Sequence, residues 1–289
     1  MEVSARPGEE SPTVAVPDPP TVHVKPRRFG WMREAALVLA FYYVYQTIRS
    51  FANSGNVTPR AFTNNLRIVR LEKALYIFHE HTIQQWFLSS RLVIKFLNVY
   101  YGTLHFVITA GLLIWVYHYR HAAYRRMRNL LGLTTALALI GYWSFPLAPP
   151  RMQKVPPLFV DTLDTIGGLW SYNSPVAKAV ANPFAAMPSL HFGWALWCGM
   201  VFWTLTAHRW SRALAFLYPF LTLGAIVITG NHYFLDAVGG TIVFCVALLI
   251  QNTVERSVRR RRTRGGSDAL SSAAATTADA EELGGVSTR

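Results

Sequence analysis

Cysteine, charge and acid are all scarce in this chain, and each scarcity rules something out. Only 2 cysteines occur in 289 residues, Cys198 and Cys245, and both fall inside long apolar runs, which excludes a disulfide framework and a cysteine-based metal site. Charged residues make up 15% of the chain against 52% hydrophobic, and the apolar residues gather into nearly charge-free stretches instead of recurring at the spacing of a soluble helix or strand. Such stretches predict a multi-span membrane protein. Acid is the scarcer sign: 15 Asp and Glu face 28 Lys and Arg, a formal net charge of +13. In a soluble chain that excess would suggest nucleic acid as a partner, but beside apolar runs it is flanking charge, and no nucleic-acid partner is expected. Internal repeats, strand patterns and an H-E-x-x-H helix are absent as well.

What is present divides into a core and two tails. Residues 1–30 are rich in Pro and Glu, with no apolar h-region and no cleavage signature, and read as a disordered lead-in. Residues 31–254 hold the membrane domain. Residues 255–289 begin with an arginine cluster and continue from Gly265 as Ser, Ala, Thr and Gly, too polar to bury a core, so a flexible tail is expected. A spanning helix needs about 20 mainly apolar residues, and the runs at 34–50, 96–118, 130–148, 186–206, 213–230 and 235–252 approach that length. The fold class predicted is all-α, a six-helix membrane bundle, its first span the shortest because Arg33 and Arg49 bracket it.

Basic residues flanking the spans set the orientation. Lys25, Arg27, Arg28 and Arg33, then Arg120, Arg125, Arg126 and Arg128, then Arg209 and Arg212, and finally the run from Arg256 to Arg264 all fall on one side. That side is the cytoplasm, so both termini are expected there, in a multi-pass protein of the cell membrane. The arginines after the last span should also attract anionic lipids. On the other side, 60–88 reads as a helix lying in the interface, with Ile68, Leu71, Leu75 and Phe78 on one face and Arg67, Arg70, Lys73 and Glu80 on others. It is either a connector covering the bundle or a lid over a lipid cleft.

This topology brings three polar patches to the extracytoplasmic ends of the spans: Pro149-Pro150-Arg151, Met187-Pro188-Ser189-Leu190-His191, and Asn231-His232-Tyr233-Phe234-Leu235-Asp236. Ionisable groups at membrane depth are costly and mark function. His232 and Asp236 stand four residues apart, one helical face, where the carboxylate can take the proton of one ring nitrogen and leave the other bare as a nucleophile. The plain alternative is an interfacial histidine with an aspartate cap. Pro188 fits the first turn of a helix whose free N–H groups, with the Ser189 hydroxyl, suit a phosphate, and His191 at the rim can serve as general acid. An ordinary proline-started helix would look the same. Arg151, stiffened by two prolines, can fork onto phosphate oxygens or merely anchor at the boundary. In combination these parts suit phosphoryl transfer through a phosphohistidine. A zinc site built on His191, His232 and Asp236 is the chemical rival, and a transporter or lipid-binding protein the rival of another class.

The motifs Ala186-Met187-Pro188-Ser189-Leu190-His191 and Gly230-Asn231-His232-Tyr233-Phe234-Leu235-Asp236, with Pro149-Pro150-Arg151, resemble the type 2 phosphatidic acid phosphatase (PAP2) superfamily, and within it the branch similar to inositol phosphorylceramide synthases, over 32–252. The resemblance implies a six-helix membrane enzyme acting on a phospholipid or polyprenyl phosphate without a metal or other cofactor. It further implies His232 as nucleophile, Asp236 as its orienter, His191 as acid, and Ser189 and Arg151 as phosphate ligands. The phosphatase signature carries a Lys where this chain has Ser144, a Gly where it has Leu190, and a Ser-Arg pair where it has Ala225 and Ile226. Two expected cations are thus missing, which favours the synthase-like branch, with Asn182, Asn231, Tyr233 or His105 as candidate neutral donors to the substrate.

Overall fold

The computed structural model describes scattered positions between Met32 and Thr47, then 57–169 and 183–284, with side chains as far as residue 261. Two compact units divide the chain, Met1–Tyr43 and Val44–Arg289, and every helix named below belongs to the second. The predicted first span, 34–50, crosses that boundary and is described only at scattered positions, and the N-terminal tail lies outside the described residues. In order, the helices whose bounds are described are α1 Val57–Ala74, α2 Glu80–Leu88, α3 Arg91–Tyr119, α4 His121–Ser144, a single turn α5 Thr162–Thr165, α6 Leu190–Leu205, α7 Arg209–Ile228 and α8 Phe234–Gly284. Among the described residues the sole extended pairing is the bridge between Leu147 and Ala185.

Among the described residues, three helices are long and apolar enough to cross a bilayer: α3, α7 and the Phe234–Arg261 part of α8. No more than 33% of the apolar window of each is buried within the protein. Phe96, Val107 and Ile114 on α3, Leu217 and Phe220 on α7, and Leu249 on α8 are each at least half exposed. Hydrocarbon, not water, is the solvent for a surface of that kind. The runs 130–148 and 186–206 fall on α4 and α6. With Arg125, Arg126 and Arg128 near the start of α4, and with only 16 residues in α6, neither meets the length and apolarity of the other three.

α6 is apolar on every side, the pattern of a helix surrounded by others, and it packs against α4, α7 and α8. Ala195, Trp197, Cys198 and Val201 are wholly buried there, and the Trp197 indole N–H finds the Met127 carbonyl at 2.9 Å. The α6–α8 contact depends on a residue without a side chain. A Cβ on Gly240 would lie 2.3 Å from the Ser189 carbonyl oxygen, so the start of α6 rests directly on the α8 backbone. Gly240→Val should therefore push Ser189 and His191 out of place, costing about 1–3 kcal/mol as an overpacked contact. A fall in the detergent-solubilised unfolding midpoint, with activity lost in parallel, is the expected measurement.

The segment 60–88 differs from its predicted single helix. α1 ends at Ala74, Tyr76 adopts a left-handed φ of 58°, and α2 restarts at Glu80, so the helical phase is lost between them. Leu71 and Leu75, expected on the packed face, are 48% and 52% exposed, whereas Glu80, expected outward, is fully buried. At the other end the α8 backbone continues to Gly284, past Gly265 where composition predicts a flexible tail. Ala-rich sequence there has high helix propensity.

Candidate active site

Three loops at one end of the helices carry the three motifs, and backbone hydrogen bonds join them. The Leu147 N–H donates to the Phe184 carbonyl at 2.9 Å, the Arg151 N–H to the Gly230 carbonyl at 2.8 Å, and the Ser189 N–H to the Asp236 carbonyl at 2.8 Å. Gly230 sits at φ 69°, and a Cβ on it would come within 2.9 Å of the Gln84 amide nitrogen. Glycine is the residue that fits that turn.

His232 stands in the loop between α7 and α8, 3% exposed. Its Nδ1 lies 2.9 Å from the Ala186 carbonyl and 3.3 Å from Asp236 Oδ2. Both partners only accept, so Nδ1 carries the proton and Nε2 is left with a bare lone pair. Burial lowers the pKa of His232 to about 3, with the Arg151 charge acting in the same direction and the Ala186 hydrogen bond opposing both. Asp236 Oδ2 also accepts the Tyr233 N–H at 2.9 Å, which fixes the carboxylate in the first turn of α8.

The His191 ring centroid is 5.9 Å from that of His232. Tyr101 stacks on His191 at 4.1 Å and meets His232 edge-on at 6.3 Å, while His105 lies 5.1 Å from His191 on another side. A π-helical turn at Tyr100–Leu104 inside α3 lets Tyr101 and His105 reach the same ring. Turns of that kind recur at functional sites. His105 is fully buried and its Nδ1 lies 3.0 Å from the Tyr218 hydroxyl, so it backs His191 and does not face an opening. Ser189 is the N-cap of α6, its hydroxyl oxygen accepting the Phe192 N–H at 3.4 Å, and Pro188 therefore precedes the helix; it does not occupy the first turn.

The Arg151 guanidinium donates through Nε to Asn231 Oδ1 at 3.0 Å and through Nη1 to Asp161 Oδ2 at 3.2 Å. Asp161 belongs to none of the three motifs; it caps α5, accepting the N–H groups of Leu163 and Asp164. Asn231 is thus a brace for Arg151 and also donates to the Thr229 hydroxyl at 2.7 Å. Tyr233 is wholly buried, its hydroxyl donating to Gln153 Oε1 at 2.7 Å and accepting from Asn65 at 2.8 Å, so it holds the loop from behind. Asn182 lies outside the described residues. Among the described residues, no three His, Cys, Asp or Glu side chains are grouped to hold a metal ion.

A sequence model of the PAP2 superfamily matches residues 66–250. The chain belongs to the PAP2 superfamily. No curated protein and no solved structure shows significant similarity to it. The match takes in all three motif loops together with the second half of α1, all of α2 and α8 as far as residue 250. As a PAP2 protein the chain is a helical membrane protein, of a superfamily of phosphatases and phosphotransferases. Where the phosphatase signature has its Ser-Arg pair, Ala225 and Ile226 are fully buried, so that position supplies no charge to the site. Arg151 is the guanidinium whose field reaches His232.

Proposed function

We propose that the protein is a lipid phosphotransferase working through a phosphohistidine. The observation that carries this reading is His232: Nδ1 is committed to two acceptors, and the bare Nε2 stands beside a second histidine. In the first step Nε2 attacks phosphorus, the bond from phosphorus to the leaving oxygen breaks, and His191 gives that oxygen a proton. In the second, the hydroxyl of an alcohol or of water attacks the phosphohistidine, the P–N bond breaks and His191 recovers the proton. An arriving phosphate favours the charged form of His191, and Arg151 offsets the charge that builds on the phosphoryl oxygens. The chemistry calls for no metal.

A lipid substrate is supported by an apolar cavity of about 420 Å³ between α6 and α7. It starts at Phe192, next to His191, and continues past Leu196 and Met200 to Trp203, with Leu223 and Phe216 on the facing helix. The twelve helical residues from Phe192 to Trp203 span roughly 17 Å, room for much of a hydrocarbon chain. Met200→Trp should lower kcat/KM for long-chain donors more than for short-chain ones, measured on a chain-length series in mixed micelles.

The finer reading has six spans, both termini in the cytoplasm, the site at the outer face of the cell membrane, and anionic lipids against the arginines from Arg256. The missing cations relative to the phosphatase signature favour transfer of an inositol-phosphate-like head group over hydrolysis. The decisive experiment incubates the purified protein with phospholipid donors labelled in the head-group phosphate, with and without lipid alcohols or polyols as acceptors. A new labelled product that requires the acceptor is expected. Release of the head group to water alone would make it a phosphatase, and inhibition by chelators that added metal reverses would replace the phosphohistidine with zinc chemistry.

A further inference from the structure

Glu72 on α1 and Glu80 on α2 lie outside the motifs, yet both are 0% exposed. Glu72 Oε1 accepts the N–H of Leu235 at 2.8 Å and Glu80 Oε1 that of Phe234 at 2.9 Å. With Asp236 on the Tyr233 N–H, three consecutive amides entering α8 are each held by a carboxyl group, and His232 is the residue immediately before them. The second oxygen of each glutamate is buried without a hydrogen-bond partner, and the two carboxyl groups are near enough to act on one another. Among the described residues neither glutamate has an ion pair. Two ionised carboxylates cannot share such a place; one proton between them supplies the missing donor and leaves one negative charge at the positive end of α8.

We propose that Glu72 and Glu80 share a single proton and act as positioning residues, clamping the first turn of α8 so that His232 meets its substrate in line. The consequence for His232 rests on the phosphotransferase reading; the shared proton does not. Desolvation and the neighbouring Glu80 carboxyl push Glu72 up to about 10, with Asp236 on α8 adding to it and the Leu235 N–H opposing. The ionisable groups facing the pair are Asp236 and Tyr233, none of them cationic.

One arm of the test needs no substrate. From the ordinary carboxyl value of 4.5 up to about 10 the folded protein holds a proton here that the unfolded chain has released, so this pair makes stability fall as pH rises through that window. Apparent Tm, followed by tryptophan fluorescence of the full-length protein in detergent, should decline more steeply with pH in wild type than in Glu72→Gln or Glu80→Gln, whose amide protons do not titrate. Parallel profiles in wild type and both variants would overturn the shared proton. The second arm is phosphate release from phosphatidic acid in mixed micelles. Glu72→Ala and Glu80→Ala should lower kcat about 10²-fold, as small misplacements of a reacting group do, with KM little changed. Glu72→Gln should restore most of that loss, because an amide donates to Glu80 as the carboxyl proton does. Glutamine variants as impaired as the alanine ones would show that both charges are needed and would also sink the proposal. A protein inactive on phosphatidic acid leaves the Tm comparison to decide.

Discussion

His232→Ala should abolish turnover while leaving a folded, membrane-inserted protein. The ring contributes a hydrogen bond to Ala186 and an edge contact to Tyr101, and its removal costs on the order of 1 kcal/mol from the hydrogen bond. The chemistry loses its nucleophile, and deletions of that kind lower kcat by about 10⁴–10⁶. Labelled lipid donor should also mark the wild-type protein transiently with acid-labile phosphate and fail to mark the variant. Activity retained in His232→Ala, or labelling that persists, would remove the nucleophile assignment.

The same burial that leaves Nε2 bare sets the response to acid. Because the pKa of His232 is lowered to about 3, the nucleophile stays neutral through the range where a solvated histidine of pKa 6.5 would have charged, so no loss of rate below pH 6.5 should trace to it. Folding feels the opposite side of that shift. Between 6.5 and about 3 the unfolded chain takes up a proton that the folded loop refuses, so this group's contribution to stability is lost as pH falls through that window.

The meeting of the three motifs was legible because a charge-free run places each of them at a helix end; His232 and Asp236 do touch, but with His232 in the loop ahead of α8 and not on one helical face with Asp236. The sequence could not show which polar residues serve the substrate and which serve the loops. Asn231 and Tyr233 sit inside the most specific motif, yet their polar atoms are taken up by Arg151, Thr229, Gln153 and Asn65, which come from elsewhere in the chain. Glu80 departs from its expected outward face for a backbone reason. A periodicity carried across the break at Tyr76 puts it outside, and the restart of α2 turns it inward, onto the amides of α8. Asp161 gave only the weak signal of a capping residue ahead of a short turn. Two of the six runs counted as spans fall on helices that pack in the bundle without the length and apolarity of a crossing helix: α4 carries arginines near its start and α6 is short.

Asp236 allows orientation to be separated from charge. The Nδ1 proton of His232 already has the Ala186 carbonyl at 2.9 Å, closer than Asp236 Oδ2 at 3.3 Å, so the tautomer survives without the carboxylate. Asp236→Asn can keep an oxygen where Oδ2 now accepts both the Tyr233 N–H and the ring, placing its amide where Oδ1 has no partner. It keeps the geometry and removes the negative charge that stabilises the positive charge appearing on the imidazole as the P–N bond forms. A fall in kcat of about 10²–10³ with KM unchanged is expected, the loss typical of one electrostatic contact made in the transition state. Asp236→Ala goes further, because the α8 start loses its capping acceptor: unfolding stability should drop by about 1 kcal/mol, and kcat should fall below that of the asparagine variant. Equal kcat values for Asn and Ala, with equal stability, would mean that the carboxylate works through charge alone; an asparagine variant as active as wild type would mean that Ala186 suffices and Asp236 only caps the helix.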